Sequence, residues 1–144
     1  MRTQFTRPVT AALGAFLAVG LAVGCSWTES EPDATSVVPS ALPDDTDKSQ
    51  SKRNAERFRS WVDAHGTKSQ RAAAARVERV IREGDGGSGK TYIATDINGG
   101  PTPVEDGMAT ADDLAAAFGK WKASEEGLVS VYDVNGNVLV AKRA

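Results

Sequence analysis

The chain has 144 residues, of which 40% are hydrophobic and 25% charged, and its formal net charge is −2. These values are typical of a soluble globular protein with one ordinary domain. From residue 50 onward the sequence carries 14 basic and 13 acidic side chains. Such a balance argues against a dedicated nucleic-acid-binding domain, which is usually strongly basic. Cys25 is the only cysteine, so it pairs with another chain, stays a free thiol or is modified.

The amino terminus has the layout of a secretory signal peptide. Arg2 and Arg7 precede an apolar run from about Val9 to Val23, which ends in small residues. The run has about fifteen residues, whereas a membrane-spanning helix needs roughly twenty. We therefore expect residues 1–24 to direct export and then to be removed.

The end of this run resembles a known processing motif. The segment Leu21-Ala22-Val23-Gly24-Cys25 is similar to the lipobox of bacterial lipoproteins, in which a small residue precedes an invariant cysteine. Leucine is most common at the position that Ala22 occupies. The resemblance implies that Cys25 receives a diacylglyceryl group, becomes the first mature residue and holds the protein on the extracytoplasmic face of a bacterial cell membrane. The alternative is a signal peptide cut elsewhere, which leaves Cys25 as an incidental thiol.

Residues 25–49 are predicted to be a disordered stalk. After Cys25 they contain many Ser, Thr and Pro residues and six acidic side chains, and they show no apolar periodicity. Segments of this kind bury too little apolar surface to offset the entropy lost on ordering. Trp27 in the stalk contacts lipid headgroups or is simply solvated; both interpretations stay open.

Residues 50–144 are predicted to form one small α+β domain. Helical periodicity joins Ala55, Phe58, Trp61, Val62 and His65, and Gly66 is expected to end this helix in a left-handed conformation. A capping box of Thr67 and Gln70 predicts a second helix that continues to Glu83, with an inner stripe of Ala73, Val77, Val80 and Ile81. Thr110 is expected to cap a third helix whose inner face is Leu114, Ala117, Phe118 and Trp121.

Three strands complete the predicted domain. Residues 90–97 are rich in Thr, Tyr and Ile, and two apolar runs flank Asn135-Gly136, which indicates a hairpin with a type I′ turn. The predicted order is α-α-β-α-β-β, with a three-stranded sheet and helices mainly on one face.

Residues 84–91 fit the G-x-x-x-x-G-K-[ST] pattern of phosphate-binding loops, with Lys90 and Thr91 at its end. A working loop is followed by a helix whose amino terminus faces the phosphates. Here a predicted helix precedes the loop and a predicted strand follows it. We therefore interpret the segment as a helix-to-strand connector and predict neither a nucleotide nor any other cofactor.

Other patterns give weak indications of chemistry. Residues 133–137 resemble the start of a calcium loop, but the glycine and glutamate required further on are absent and the hairpin explains the same residues. His65 has no suitably placed acid, and one His and one Cys are too few for a zinc site. The carboxylate pairs Asp112–Asp113 and Glu125–Glu126 are expected at helix ends. We predict no catalytic and no metal-binding residues.

Arg76, Arg79 and Arg82 follow helical i, i+3 spacing and would form a basic ridge able to contact anionic lipid or wall polymer. The alternative is a solvated, salt-bridged face.

The stretches from Trp61 and from Phe118 onward resemble small uncharacterised lipoproteins of high-GC actinomycetes, a resemblance that implies no activity. The function expected is a non-catalytic binding or scaffolding domain in the cell envelope, with an envelope protein, anionic lipid or wall polymer as partner. The alternative is an inhibitor or immunity-type module that acts on an extracellular enzyme or phage component.

Overall fold

The computed structural model describes residues 38–84, 89–100, 103–123 and 127–143. The chain divides into two units, Met1–Glu31 and Pro32–Ala144, and all described residues belong to the second. That unit contains seven elements in chain order: α1 Lys48–His65, α2 Lys68–Ala74, β1 Val77–Glu83, β2 Lys90–Thr95, α3 Gly107–Trp121, β3 Leu128–Tyr132 and β4 Val138–Arg143. Within the described residues, none of these helices has the length and apolarity required to span a bilayer.

The strands form one mixed sheet in the order β1-β2-β3-β4. β1 and β2 are antiparallel, β2 and β3 are parallel, and β3 and β4 are antiparallel. The parallel pair requires a long crossover, which α3 supplies. The prediction of a three-stranded sheet with the order α-α-β-α-β-β is therefore wrong, because the sheet has four strands and the order is α-α-β-β-α-β-β.

The error lies in the segment after α2. The helix stops at Ala74, and the residues predicted to continue it form β1 instead. Val77, Val80 and Ile81 are β-branched and favour extended backbone, and Val80 and Ile81 pair with Ile93 and Tyr92 of β2. Successive side chains of a strand point to opposite faces of the sheet. Val80 and Ile81 are therefore both buried, one on each face.

The helix ends follow the predicted chemistry in part. The capping box of α2 is confirmed, since the Thr67 hydroxyl accepts from the Gln70 amide at 3.2 Å and the Gln70 side chain accepts from the Thr67 amide at 3.1 Å. Gly66 ends α1 but keeps a φ of −79°, so the predicted left-handed conformation is wrong. A Cβ on Gly66 would lie 2.7 Å from Val62, and this close approach favours glycine there. The cap of α3 is Asp106 rather than Thr110.

The hairpin predicted at Asn135-Gly136 joins β3 to β4, but its turn is not type I′. Within this turn, Gly136, with φ of 79°, has a positive φ and Asn135 does not. The Gly136 amide donates to the Asp133 carbonyl at 2.9 Å, and the register shifts beside Tyr132. A type I turn followed by a left-handed glycine explains this geometry.

The main core lies between the helices and one face of the sheet. Phe58 and Val62 of α1 and Leu114 and Phe118 of α3 are buried with the sheet residues Val77, Val80, Ile93, Val129 and Val131. The rings of Phe58 and Phe118 lie 5.6 Å apart and are tilted by 59°, an arrangement that aromatic pairs favour. This face holds α1 against β1 and so positions the groove described below.

The second face of the sheet buries Ile81, Tyr92 and Tyr132 together with Leu42. Residues 39–47, which we call the strap, contact this face and the turn that precedes β4. The Tyr132 hydroxyl donates to the Pro39 carbonyl at 2.9 Å, and the Leu42 amide donates to the Gly136 carbonyl at 2.9 Å. The predicted stalk ended at residue 49, whereas Asp47 caps α1 and the domain's contacts extend back to Pro39.

Candidate binding groove

The candidate site is an open groove beside α1. It consists of two cavities of about 490 and 330 Å³, the first bordered by β1 and the second by α2, and both are lined by Glu56 and Arg59. We call the two together the α1 groove. Its charged residues are Lys52, Glu56, Arg59, Asp63, Arg71, Glu78 and Arg79.

The helix places one stripe of side chains along this groove. Lys52, Glu56, Arg59 and Asp63 are spaced by four, three and four residues, so they share one face of α1. Arg59 Nη1 donates to the Val77 carbonyl at 2.7 Å, which fixes the guanidinium between the two cavities. Asn54 Nδ2 donates to the Val80 carbonyl at 3.2 Å. These two bonds also occupy outward carbonyls of the edge strand β1, which hinders the addition of another strand there.

The α1 groove is nearly balanced in charge, with four basic and three acidic side chains. Lys52, Glu56, Asp63 and Glu78 form no ion pair within the described part of the chain, although they line the same groove with opposite signs. Their charges are exposed and hydrated. A ligand that carries both signs could pair with them at little desolvation cost, because exposed ion pairs are individually weak, at about 0–1 kcal/mol each.

Of the residues singled out from the sequence as possible sites, only Arg79 lines this groove within the described part of the chain. Cys25, Trp27 and the pair Glu125–Glu126 lie outside the described residues. Asp112 lies in the second turn of α3 rather than at its end, and its carboxylate pairs with Lys142 Nζ at 2.6 Å on the surface. In the regions that the structure describes, no group of three or more His, Cys, Asp or Glu residues is placed to hold a metal ion.

His65 lies in the last turn of α1, where its ring stacks on Trp61 with centroids 4.9 Å apart. Its Nδ1 lies 2.9 Å from the Trp61 carbonyl oxygen, which accepts a hydrogen bond from the Nδ1–H. No hydrogen bond or ion pair joins its ring to a carboxylate of the described residues. The ring is therefore held by contacts within its own helix.

The phosphate-loop pattern at residues 84–91 connects β1 to β2. The expectation of a preceding helix is wrong, because a strand precedes the loop; the expectation of a following strand is confirmed. Residues 85–88 lie outside the described residues. Thr91 is buried within β2, at 5% exposure, and pairs with Arg82. The pattern ends in a strand, so the described residues from 89 onward provide no helix amino terminus of the kind that such loops use.

The calcium-like segment is accounted for by the hairpin. The Asp133 carboxylate accepts from the amides of Asn135 and Asn137 at 2.9 Å each and from the Asn98 side chain at 3.2 Å. Burial alone would raise the pKa of Asp133, but these hydrogen bonds outweigh it and hold the pKa below its usual value. The carboxylate therefore organises its own turn.

The predicted basic ridge does not exist. Arg76 follows α2, and its Nε lies 2.7 Å from Asp96 Oδ1 in a largely buried ion pair. Arg79 and Arg82 lie in β1, where three-residue spacing places them on opposite faces. Arg79 Nη1 contacts Asp45 Oδ2 at 3.2 Å. The anionic-polymer hypothesis that relied on this ridge loses its basis.

Sequence reasoning missed both the α1 groove and the strap. The groove forms only because β1 replaces the second half of the predicted second helix. Adjacent β-branched residues before a glycine-rich loop were the available signal. No protein-family model, curated protein or solved structure matches this chain.

Proposed function

We propose that this protein is a lipid-anchored extracytoplasmic protein of the bacterial cell envelope whose domain binds a segment of another envelope protein without catalysis. The location is supported by residues 1–25, where a cationic start, a short apolar run and small residues precede the only cysteine. Two acyl chains on Cys25 would hold a water-soluble domain stably on a bilayer, whereas a single chain is marginal.

The binding role is supported by one observation in particular, the unpaired charges of both signs in the α1 groove. Glu56, Asp63 and Glu78 would repel a polyanionic wall polymer or a row of lipid phosphates. A protein segment with both lysine and carboxylate side chains has the complementary pattern. The groove is also open and shallow, which suits an extended segment better than an enclosed small molecule.

The attachment is tested by metabolic labelling with a palmitate analogue. We expect label on the wild-type chain and none on Cys25→Ala. Absence of label on the wild type, or label that survives this substitution, would overturn the proposed anchor.

The binding role is tested by quantitative pull-down from envelope extract. We expect a stoichiometric protein partner that is lost when Lys52→Glu and Glu56→Lys are combined, because the double variant reverses the local charge pattern without changing net charge. The matched control is Lys142→Glu combined with Asp112→Lys, which reverses a surface ion pair at β4, the sheet edge opposite β1, and likewise leaves the net charge unchanged. Retention of the partner by the double variant, or its loss in the control alone, contradicts the proposed groove.

The identity of the captured partner distinguishes the inhibitor or immunity-type hypothesis from the binding or scaffolding hypothesis. If the partner is an enzyme that loses activity in the complex, the protein is an inhibitor. If the complex leaves the partner's activity unchanged, the protein is a binding or scaffolding module.

A further inference from the structure

A second surface of the helical layer carries half-exposed aromatic rings. Trp61 of α1 and Trp121 of α3 are each partly buried and pack against the main core. Phe58 joins the two positions, because it lies one turn before Trp61 on α1 and its ring is 5.4 Å from that of Trp121. We call Trp61, His65, Trp121 and Lys122 the aromatic face.

Cationic groups accompany these rings. Lys122 Nζ lies 4.7 Å from the centre of the Trp121 ring, within the range of a cation–π contact. His65 stacks on Trp61. Lys68, at the start of α2, and Lys120, which precedes Trp121 in α3, are both exposed. An indole that is buried on one side and hydrated on the other, next to ammonium groups, is the chemistry found at the headgroup level of membranes.

The aromatic face lies away from the α1 groove. Successive residues of an α-helix are rotated by about 100°, so Trp61 is displaced by about 200° from Arg59, which lies in the groove. A protein that rests on a surface through Trp61 therefore keeps Lys52, Glu56 and Arg59 open to solvent.

The length of chain before the domain is sufficient for this orientation. Thirteen residues separate Cys25 from Pro39, and at full extension they reach at most about 45 Å. A domain of about 100 residues has a radius of gyration of about 13 Å, hence a diameter of about 35 Å. Pro39 contacts Tyr132 on the second face of the sheet, so a domain that rests on its helical layer needs this connection to run around it. Close to full extension the connection is just long enough to do so.

We propose that the aromatic face docks on an anionic bilayer surface when the protein is anchored at Cys25, and so orients the α1 groove toward the periphery. The inference rests on the proposed attachment at Cys25. The occupant is a bilayer because the tether keeps one within reach and the rings and lysines match its headgroup region.

The test uses the chain that begins at Cys25, because the contacts described here lie within residues 38–143 and that chain retains them. Its single thiol is coupled to a maleimide lipid in vesicles of phosphatidylcholine and phosphatidylglycerol at a four-to-one ratio. Trp27→Phe leaves Trp61 and Trp121 as the only indoles. We expect a blue shift of their emission and loss of most of it when the vesicles contain lipids brominated near the headgroup.

Two charge variants decide whether the aromatic face is responsible. Lys120→Glu should restore much of the emission, whereas Lys52→Glu, with the same charge change in the groove, should leave the quenching unchanged. Absence of quenching in the starting protein, or equal effects of the two variants, overturns the docking proposal. Because the maleimide supplies the anchor, this result is independent of whether cells lipidate Cys25, which the labelling experiment tests separately.

Discussion

Replacing Asp45 tests whether the strap is an integral part of the domain. Its side chain is only 2% exposed, and Oδ2 accepts from Ser51 Oγ and from Arg79 Nη1 at 3.2 Å. Removing one partner of a buried ion pair costs about 3–5 kcal/mol. The Arg79 side chain is 26% exposed and regains water, so for Asp45→Ala we expect the free energy of unfolding to fall by about 2–3 kcal/mol.

In a domain of about 100 residues this loss lowers the melting temperature by about 10–20 °C. Denaturant titration followed by tryptophan fluorescence measures it as a lower midpoint. Asp44→Ala is the matched control, because Asp44 is exposed and is expected to change stability by less than about 0.5 kcal/mol. Equal midpoints for the two variants would refute the reasoning and return residues 39–47 to the stalk.

Three further predictions concern titrating groups and the glycine-rich loop. Burial raises the pKa of Tyr92 and Tyr132, the only tyrosines, so their contribution to stability is complete below the unfolded-state pKa of about 10 and is lost as the pH rises above it. Tyrosinate absorbance should therefore appear at a higher pH in the folded protein than in the denaturant-unfolded chain, and equal ionisation midpoints would contradict this. The lowered pKa of Asp133 gives stability that is complete above about pH 4 and is lost as the pH falls further, through the folded-state pKa. Asp133→Asn should therefore make the free energy of unfolding depend less on pH in this range. An unchanged dependence on pH would be evidence against this account. Equilibrium dialysis with ATP and Mg²⁺ should detect no saturable binding, and micromolar binding that Lys90→Ala abolishes would reinstate the phosphate loop.

Local chemistry made several elements of the fold predictable. The periodic apolar residues Ala55, Phe58 and Val62 do face the core, and the Thr67–Gln70 capping box forms as expected. The hairpin position at Gly136 was also predictable, because few other residues tolerate a positive φ.

What could not be predicted depended on contacts distant in sequence. Residues 75–83 satisfy helical spacing, and only pairing with β2 makes the extended form of Val80 and Ile81 preferable. The strap was missed because the segment around Leu42 shows no apolar periodicity, and because Asp45 meets Arg79 only after the sheet has formed. The α1 groove was missed for the same reason, since β1 forms one of its walls.

The central claim is that acyl chains on Cys25 hold the protein on the membrane. Mass spectrometry of the mature amino-terminal peptide from the membrane fraction tests it most directly. The account predicts a peptide that begins at Cys25 and carries the mass of a diacylglyceryl thioether. A mature chain recovered from the culture fluid, with another first residue and no fatty acid, would contradict it.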